Sequence, residues 1–324
     1  MYTLIKDEKN FAQDLTHFNQ LHSLFTSQDS KELINMLKKN TFQGDPSLLS
    51  NIGNILSAYK HVKNAEPCKA AVQALGELDA YLSIAQLYRE HKDKAVYYSF
   101  AHYASNEQPF INAQGFWNPF LGYQHSTPST LSIGINEPNT IIITGPNAAG
   151  KSTNLKSVAL LALLAQTFTI VPCAHLECTP FIKIVTFFKH WDNIQAGNSL
   201  FTTELIKANS LIDTLQNKLL HSQFSLVVFD ELFKSTSPEK GQETAYGLIK
   251  FLGNFKNALC LVSTHYPKLT ALEQENPALF KNYTAQANRD ENGTIIYTFT
   301  PGCSLPNQSF DVIQAQGIQG IWNN

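Results

Sequence analysis

Gly145 to Thr153 reads G-P-N-A-A-G-K-S-T and follows the apolar run Thr140-Ile141-Ile142-Ile143-Thr144 directly. A strand rich in β-branched residues that runs into a glycine-bearing loop, which in turn opens a helix, brings backbone N–H groups and a helix N-terminus to one point. Anions bind at such a point. Gly145 and Gly150 allow the chain to turn without a Cβ in the way, Lys151 brings a positive charge to the β- and γ-phosphates, and the Ser152 hydroxyl suits Mg²⁺. The loop as a whole, from Gly145 through Pro146, Asn147, Ala148, Ala149, Gly150, Lys151 and Ser152 to Thr153, is the candidate nucleotide cradle. The helix after it, expected over Leu155 to Gln166, is apolar almost all round, which marks it as buried.

Downstream, Ser225-Leu226-Val227-Val228-Phe229-Asp230-Glu231 is an apolar run ending in two acids. In a parallel sheet the C-terminal ends of strands face the ligand crevice, which places Asp230 as a Mg²⁺ ligand beside Ser152, and Glu231 as the group that polarises the attacking water. Ala258 to Ser263 is a further buried-strand run, and it leads into Thr264-His265-Tyr266 at the same sheet edge, where His265 could reach the γ-phosphate. Strands are also expected over Phe168 to Val171, Ile182 to Phe188 and Thr294 to Thr300. A long helix is expected from Phe201 to Leu219, with Ser199 at its N-cap position.

Upstream the text changes. Residues 1 to about 107 carry helical periods, such as Leu75, Leu78, Leu82 and Ala85, and Asp29 and Glu32 stand at capping-box spacing ahead of Leu33. Gly44-Asp45-Pro46 breaks one helix from the next. From about Gln108 aromatic, Pro and Gly residues gather, including Gly115-Phe116-Trp117-Asn118-Pro119-Phe120, and an aromatic here is either a core plug or a surface for stacking an adenine ring. The division expected is 1–107, helical, and 108–324, a nucleotide-binding α/β domain.

Bulk properties exclude several classes. The chain has 324 residues, 43% of them hydrophobic and 15% charged, with a net charge of −2, which describes a folded chain rather than a disordered one. Of 24 basic residues only Arg89 and Arg289 are arginines, so the fork-shaped side chain that clamps phosphates and reads guanine is nearly absent. Five cysteines without a paired C-x-x-C read as reduced core thiols, Cys173-His175-Cys178 included. No signal-like or membrane-spanning run is present, and a cytoplasmic protein without membrane contact is expected.

Taken in order, G-P-N-A-A-G-K-S-T, D-N-I-Q-A-G-N-S-L-F-T-T-E, L-V-V-F-D-E-L, S-T-S-P-E-K-G and S-T-H-Y resemble the ATPase domain of the MutS mismatch-repair family. L-D-A-Y-L-S-I-A is similar to the helical segment that precedes that domain, and Ser309 to Ile318 to its closing segment. The resemblance implies an α/β fold of the ABC-type P-loop class, with a mostly parallel sheet flanked by helices and an α-helical segment before it. It also implies an Mg²⁺-dependent ATPase working as a dimer, in which Ser199 completes the partner's site, Glu231 orients water, His265 contacts the γ-phosphate and Asn147 helps place the nucleophile. DNA enters as a partner through the same resemblance, by way of mismatch repair or DNA-structure processing. The alternative is a nucleotide-dependent protein-interaction module with weak hydrolysis and no DNA contact.

Departures from the family pattern are specific. The loop has Ala148-Ala149 in place of M-G, the turn after the two acids reads L-F-K-S-T in place of a glycine–arginine run, and F-F-K-H-W-D replaces an arginine-containing stretch. The 107 residues upstream are too few for a mismatch-reading domain, a connector and a full lever, so a short, divergent member is expected.

Overall fold

The computed structural model describes residues 26, 28–38, 55–57, 59, 66–91, 96–124, 126–188, 200–216, 223–289 and 295–303. Chain contacts divide it between Leu87 and Tyr88 into two compact units. In the first, α1 spans Gln28–Leu37 and α2 begins at Glu66 and runs to His91, across the division. Asp29 lies inside the first turn of α1 rather than ahead of it, and the bond along that turn joins the Gln28 amide to Glu32 at 3.4 Å. Leu75 and Leu82 keep helical spacing on α2 but are exposed. The Gly44-Asp45-Pro46 break falls outside the described residues.

The second unit is mixed α/β, and its strands start at β1 (Ser99–Phe100) and β2 (His102–Tyr103), earlier than the change of composition at Gln108. Next come β3 (Phe110–Phe116), β4 (Ser129–Gly134), β5 (Thr140–Thr144), α3 (Lys151–Phe168), β6 (Ile170–Val171), β7 (His175–Cys178) and β8 (Lys183–Phe187). After α4 (Leu200–Gln216) the order is β9 (Ser225–Asp230), α5 (Pro238–Leu252), β10 (Ala258–Ser263), α6 (Pro267–Glu275), β11 (Phe280–Arg289) and β12 (Ile295–Pro301).

The main sheet has the order β12-β11-β5-β10-β9-β8, parallel throughout except for the edge strand β12, which pairs antiparallel with β11. Its central strands are covered on both faces, which is why they read as unbroken apolar runs. Alternation sorts their side chains. Ile141, Ile143, Leu226, Val228, Leu259 and Leu261 meet Leu155, Val158, Leu161 and Ala162 of α3, whereas Ile142, Val227, Phe229, Cys260 and Val262 meet α4, α5 and α6 on the other face. A second sheet, β2-β7-β3-β4, adds Ile111, Phe116, Leu131, Ile133 and Leu176 to the α3 side of the core.

Helix α3 begins four residues earlier and ends two later than its apolar run suggested, so Phe168 closes the helix instead of opening a strand. Thr169 stops it in a left-handed cap at φ 60°, its N–H donating to Leu164 O. Cys173, Cys178 and Cys260 are buried free thiols, and burial pushes the first two up to about 11 and about 12. Cys303 is exposed rather than part of the core. Among the described residues no cluster suits a metal through His, Cys, Asp and Glu alone, and no helix is long and apolar enough to cross a membrane.

Candidate nucleotide site

Strands β5, β9 and β10 are parallel neighbours, so their C-terminal ends open on one edge of the sheet and deliver Gly145, Asp230 and Ser263 together. The loop from β5 to α3 is shaped by left-handed residues: Gly145 at φ 144°, Ala148 at φ 61° and Gly150 at φ 87°. Gly145 has no substitute, because a Cβ there would collide with the Ala285 carbonyl oxygen. Ala148 bears a left-handed conformation that costs an alanine about 1 kcal/mol. Its neighbour Ala149, where the family has glycine, is buried and takes no positive φ, so the alanine there carries no such cost.

Lys151 is buried at the helix start and donates to Gly145 O at 2.7 Å and Pro146 O at 2.8 Å. Burial pulls its ammonium below the ordinary lysine value; Glu231 and Asp230 oppose that shift and Lys234 adds to it. Ser152 Oγ donates to Asp230 Oδ1 at 2.8 Å, and Ser263 Oγ donates to the same oxygen at 2.7 Å. Serine and aspartate oxygens are the hard donors that Mg²⁺ takes, and here they already converge. Ser263 also accepts from the Glu231 N–H at 3.0 Å, so one strand-end serine fixes both acids.

Glu231 stands in a left-handed turn at φ 58°, its side chain only 12% exposed. Oε1 meets His265 Nε2 at 2.8 Å and Oε2 meets Lys234 Nζ at 2.6 Å. Burial works against ionisation of this carboxyl, but Lys234 and His265 together outweigh it and hold Glu231 below its usual range. His265 is itself held below the ordinary histidine value by burial and by Lys151 and Lys234, against the pull of Glu231. The contact is therefore a hydrogen bond from a neutral imidazole to a carboxylate at neutral pH, not a charged pair.

A cleft of about 770 Å³ runs along these groups. Asn147, Ala148, Ala149, Gly150, Lys151, Ser152, Thr153, Asp230 and Glu231 line it. Gly145 and Pro146 do not; their carbonyls hold Lys151 instead. His265 reaches the cleft only through Glu231. Ser199 lies outside the described residues, as does the closing segment Ser309 to Ile318.

The aromatic stretch divides into buried and exposed residues. Phe116 and Trp117 are plugs, and Trp117 Nε1 donates to Tyr97 O at 2.8 Å. Phe120 is 86% exposed on a short 3₁₀ turn, Pro119–Leu121, capped by the Asn118 side chain, and its flanking Asn118 and Leu121 line the cleft. Sequence reasoning missed Ser263, Lys234 and Tyr297, which packs over Gly150 from β12. The register of β10 against β9, Ser263 beside Asp230, is the signal that finds Ser263. For Lys234 the only trace is its spacing of three from Glu231.

The turn that carries Glu231 is held from several sides. Tyr266 OH donates to Phe233 O at 2.9 Å, the Phe201 ring of α4 packs edge-on to Phe233 at 5.6 Å, and Ser235 Oγ donates to Glu204 of α4 at 3.4 Å. Burial raises the Glu204 carboxyl, against the Ser235 hydroxyl and the Phe233 backbone.

Comparison with known proteins places residues 141–320 in MutS domain V. The chain is 27% identical over 321 residues to the DNA mismatch repair protein MutS of Carboxydothermus hydrogenoformans, covering 98% of this chain and 34% of that protein. It is 29% identical over 303 residues to the DNA mismatch repair protein MSH3 of Meyerozyma guilliermondii, covering 89% and 29%. With MutS of Geobacillus kaustophilus it shares 32% over 230 residues, 69% of this chain and 24% of that one. It thus spans about a quarter to a third of the length of these relatives.

Proposed function

The chain belongs to the MutS family, and from that premise we propose that it binds ATP with Mg²⁺ in the cleft beside Lys151 and hydrolyses it. The observation that carries this reading is the meeting of Ser152 and Asp230 at 2.8 Å, with Glu231 next in sequence and aimed at the same cleft. Loop N–H groups and Lys151 receive the β- and γ-phosphates; Ser152 and Asp230 would hold Mg²⁺, which when bound would supply charge neutralisation. The oxygen of a water bonds to the γ-phosphorus as the bond to the β–γ bridging oxygen breaks and ADP leaves. Glu231 accepts the proton that the water gives up. His265 holds Glu231 in place by donating to Oε1, and Asn147 stands in the cleft to position the water. Phe120 offers its exposed ring to the adenine, beside Asn118 and Leu121.

The second unit, from Tyr88 on, serves as the catalytic unit and the helices before it as the part that it moves. The nucleotide is sandwiched in a dimer, with Ser199, the residue before α4 in sequence, completing the partner's site. The relatives' names support a role in DNA mismatch repair, and with two arginines in the chain the DNA contacts of this part rest on lysines. The test is the mass of purified Glu231→Gln protein in solution with and without ATP and Mg²⁺. A dimer that forms or tightens with ATP is expected; a monomer that binds ATP tightly would contradict the sandwich.

A further inference from the structure

Both oxygens of Glu231 are engaged in the structure, one by His265 and the other by Lys234. A carboxylate paired in this way is a poor acceptor for a proton from water, because part of its charge is already spent. The two partners differ in freedom. His265 stands two residues beyond the end of β10, whereas the Lys234 side chain is 44% exposed, lines the cleft, and sits on a turn pinned through the Phe233 carbonyl and the Ser235 hydroxyl. The turn is fixed and the lysine stem can swing.

The left-handed conformations at Glu231 and Phe233, φ 58° and 59°, fold residue 234 back over residue 231. Left-handed backbone at two non-glycine positions costs energy that the surrounding contacts must offset, a feature that gathers where a side chain has to be aimed. Here it aims an ammonium at the acid and into the phosphate cleft at once.

We propose that Lys234 tells ATP from ADP: it exchanges Glu231 for the γ-phosphate, so that the nucleotide to be cut is also the one that frees Oε2 of the acid. This rests on the reading of Glu231 and the cleft given above. A terminal phosphate carries more charge and more acceptor oxygens than a carboxylate, and ADP has no group to offer at that distance from the loop. With ADP bound, Lys234 stays on Glu231 and the acid stays occupied.

The experiment compares equilibrium affinities, with Mg²⁺, of ADP and of a β,γ-imido analogue of ATP for the parent chain and for Lys234→Met, Lys234→Arg and Lys151→Ala. Lys234→Met should weaken the analogue about ten-fold and leave ADP within about two-fold, and Lys234→Arg should restore most of the preference. Melting curves show whether the half-exposed position has left the fold intact. In spectra of ¹⁵N-lysine-labelled protein, the Nζ signal lost in Lys234→Arg should shift with the analogue and stay put with ADP. Equal weakening of both nucleotides, or no change in either, would overturn the proposal and leave Lys234 a structural partner of Glu231. Failure of the parent to bind either nucleotide, or binding by Lys151→Ala at parent strength, would instead remove the nucleotide-site reading, and the proposal with it.

Discussion

The two larger sheets of the second unit share one core but differ in how they use sequence. In the six-stranded sheet, β5, β9 and β10 are buried along almost their whole length, because helices cover both faces. In the four-stranded sheet, β3, β4 and β7 mix buried with exposed or half-buried positions and turn one set of side chains toward α3. The first sheet ends at the candidate site, with Asp230 and Ser263 at its C-terminal edge. The second presents one wall of the cleft through Trp117, Asn118 and Ser129. A double-sided sheet announces itself and carries the candidate site; a single-sided one supports it from text that is harder to read.

The largest effect that would break this comparison concerns the loop from β5 to α3. Lys151→Ala should reduce ATP affinity by about a hundred-fold or more, since it removes the buried cation at the end of the loop. Titration calorimetry measures it, and near-parent affinity would mean that the cleft wall, not the loop, binds the nucleotide. Next come the two cores. Phe116→Ala, in the four-stranded sheet, should cost about 3–5 kcal/mol, and Ile142→Ala, in the six-stranded one, about 2–5 kcal/mol, because both side chains are fully buried. Urea unfolding of the two variants tests whether the second sheet is core or cover: a cost below about 1 kcal/mol for Phe116→Ala would make it a cover.

What could be read in the sequence follows from burial on both faces and from fixed spacing. The runs Thr140 to Thr144, Ser225 to Asp230 and Ala258 to Ser263 are continuous apolar text, and the loop motif sits between the first of them and a helix. β11 did not read as a strand although it pairs with both β5 and β12, because its buried positions include the polar Asn282 and Thr284. β7 is four residues long and contains His175 and Glu177, too short for alternation to register. The end of α3 was misplaced because a threonine, not a glycine, takes the left-handed cap.

The same limit applies at the site. The residue types and their order point to Lys151, Ser152, Asp230, Glu231 and His265, since each belongs to a strand end or a loop of known chemistry. Lys234 was invisible because two left-handed residues in Glu231 to Phe233 bring it back onto the acid, and neither is a glycine that would mark the turn. Ser263 required the strand register, which only the folded sheet supplies.

The most direct test of the central claim is ATP turnover by the purified chain and by Glu231→Gln, with ATP affinity measured on both. The account predicts Mg²⁺-dependent hydrolysis by the parent, a fall of about a hundred-fold or more in Glu231→Gln, and ATP binding that survives the substitution. Hydrolysis by Glu231→Gln at the parent rate would contradict it, because the acid at the end of β9 would then have no part in activating water.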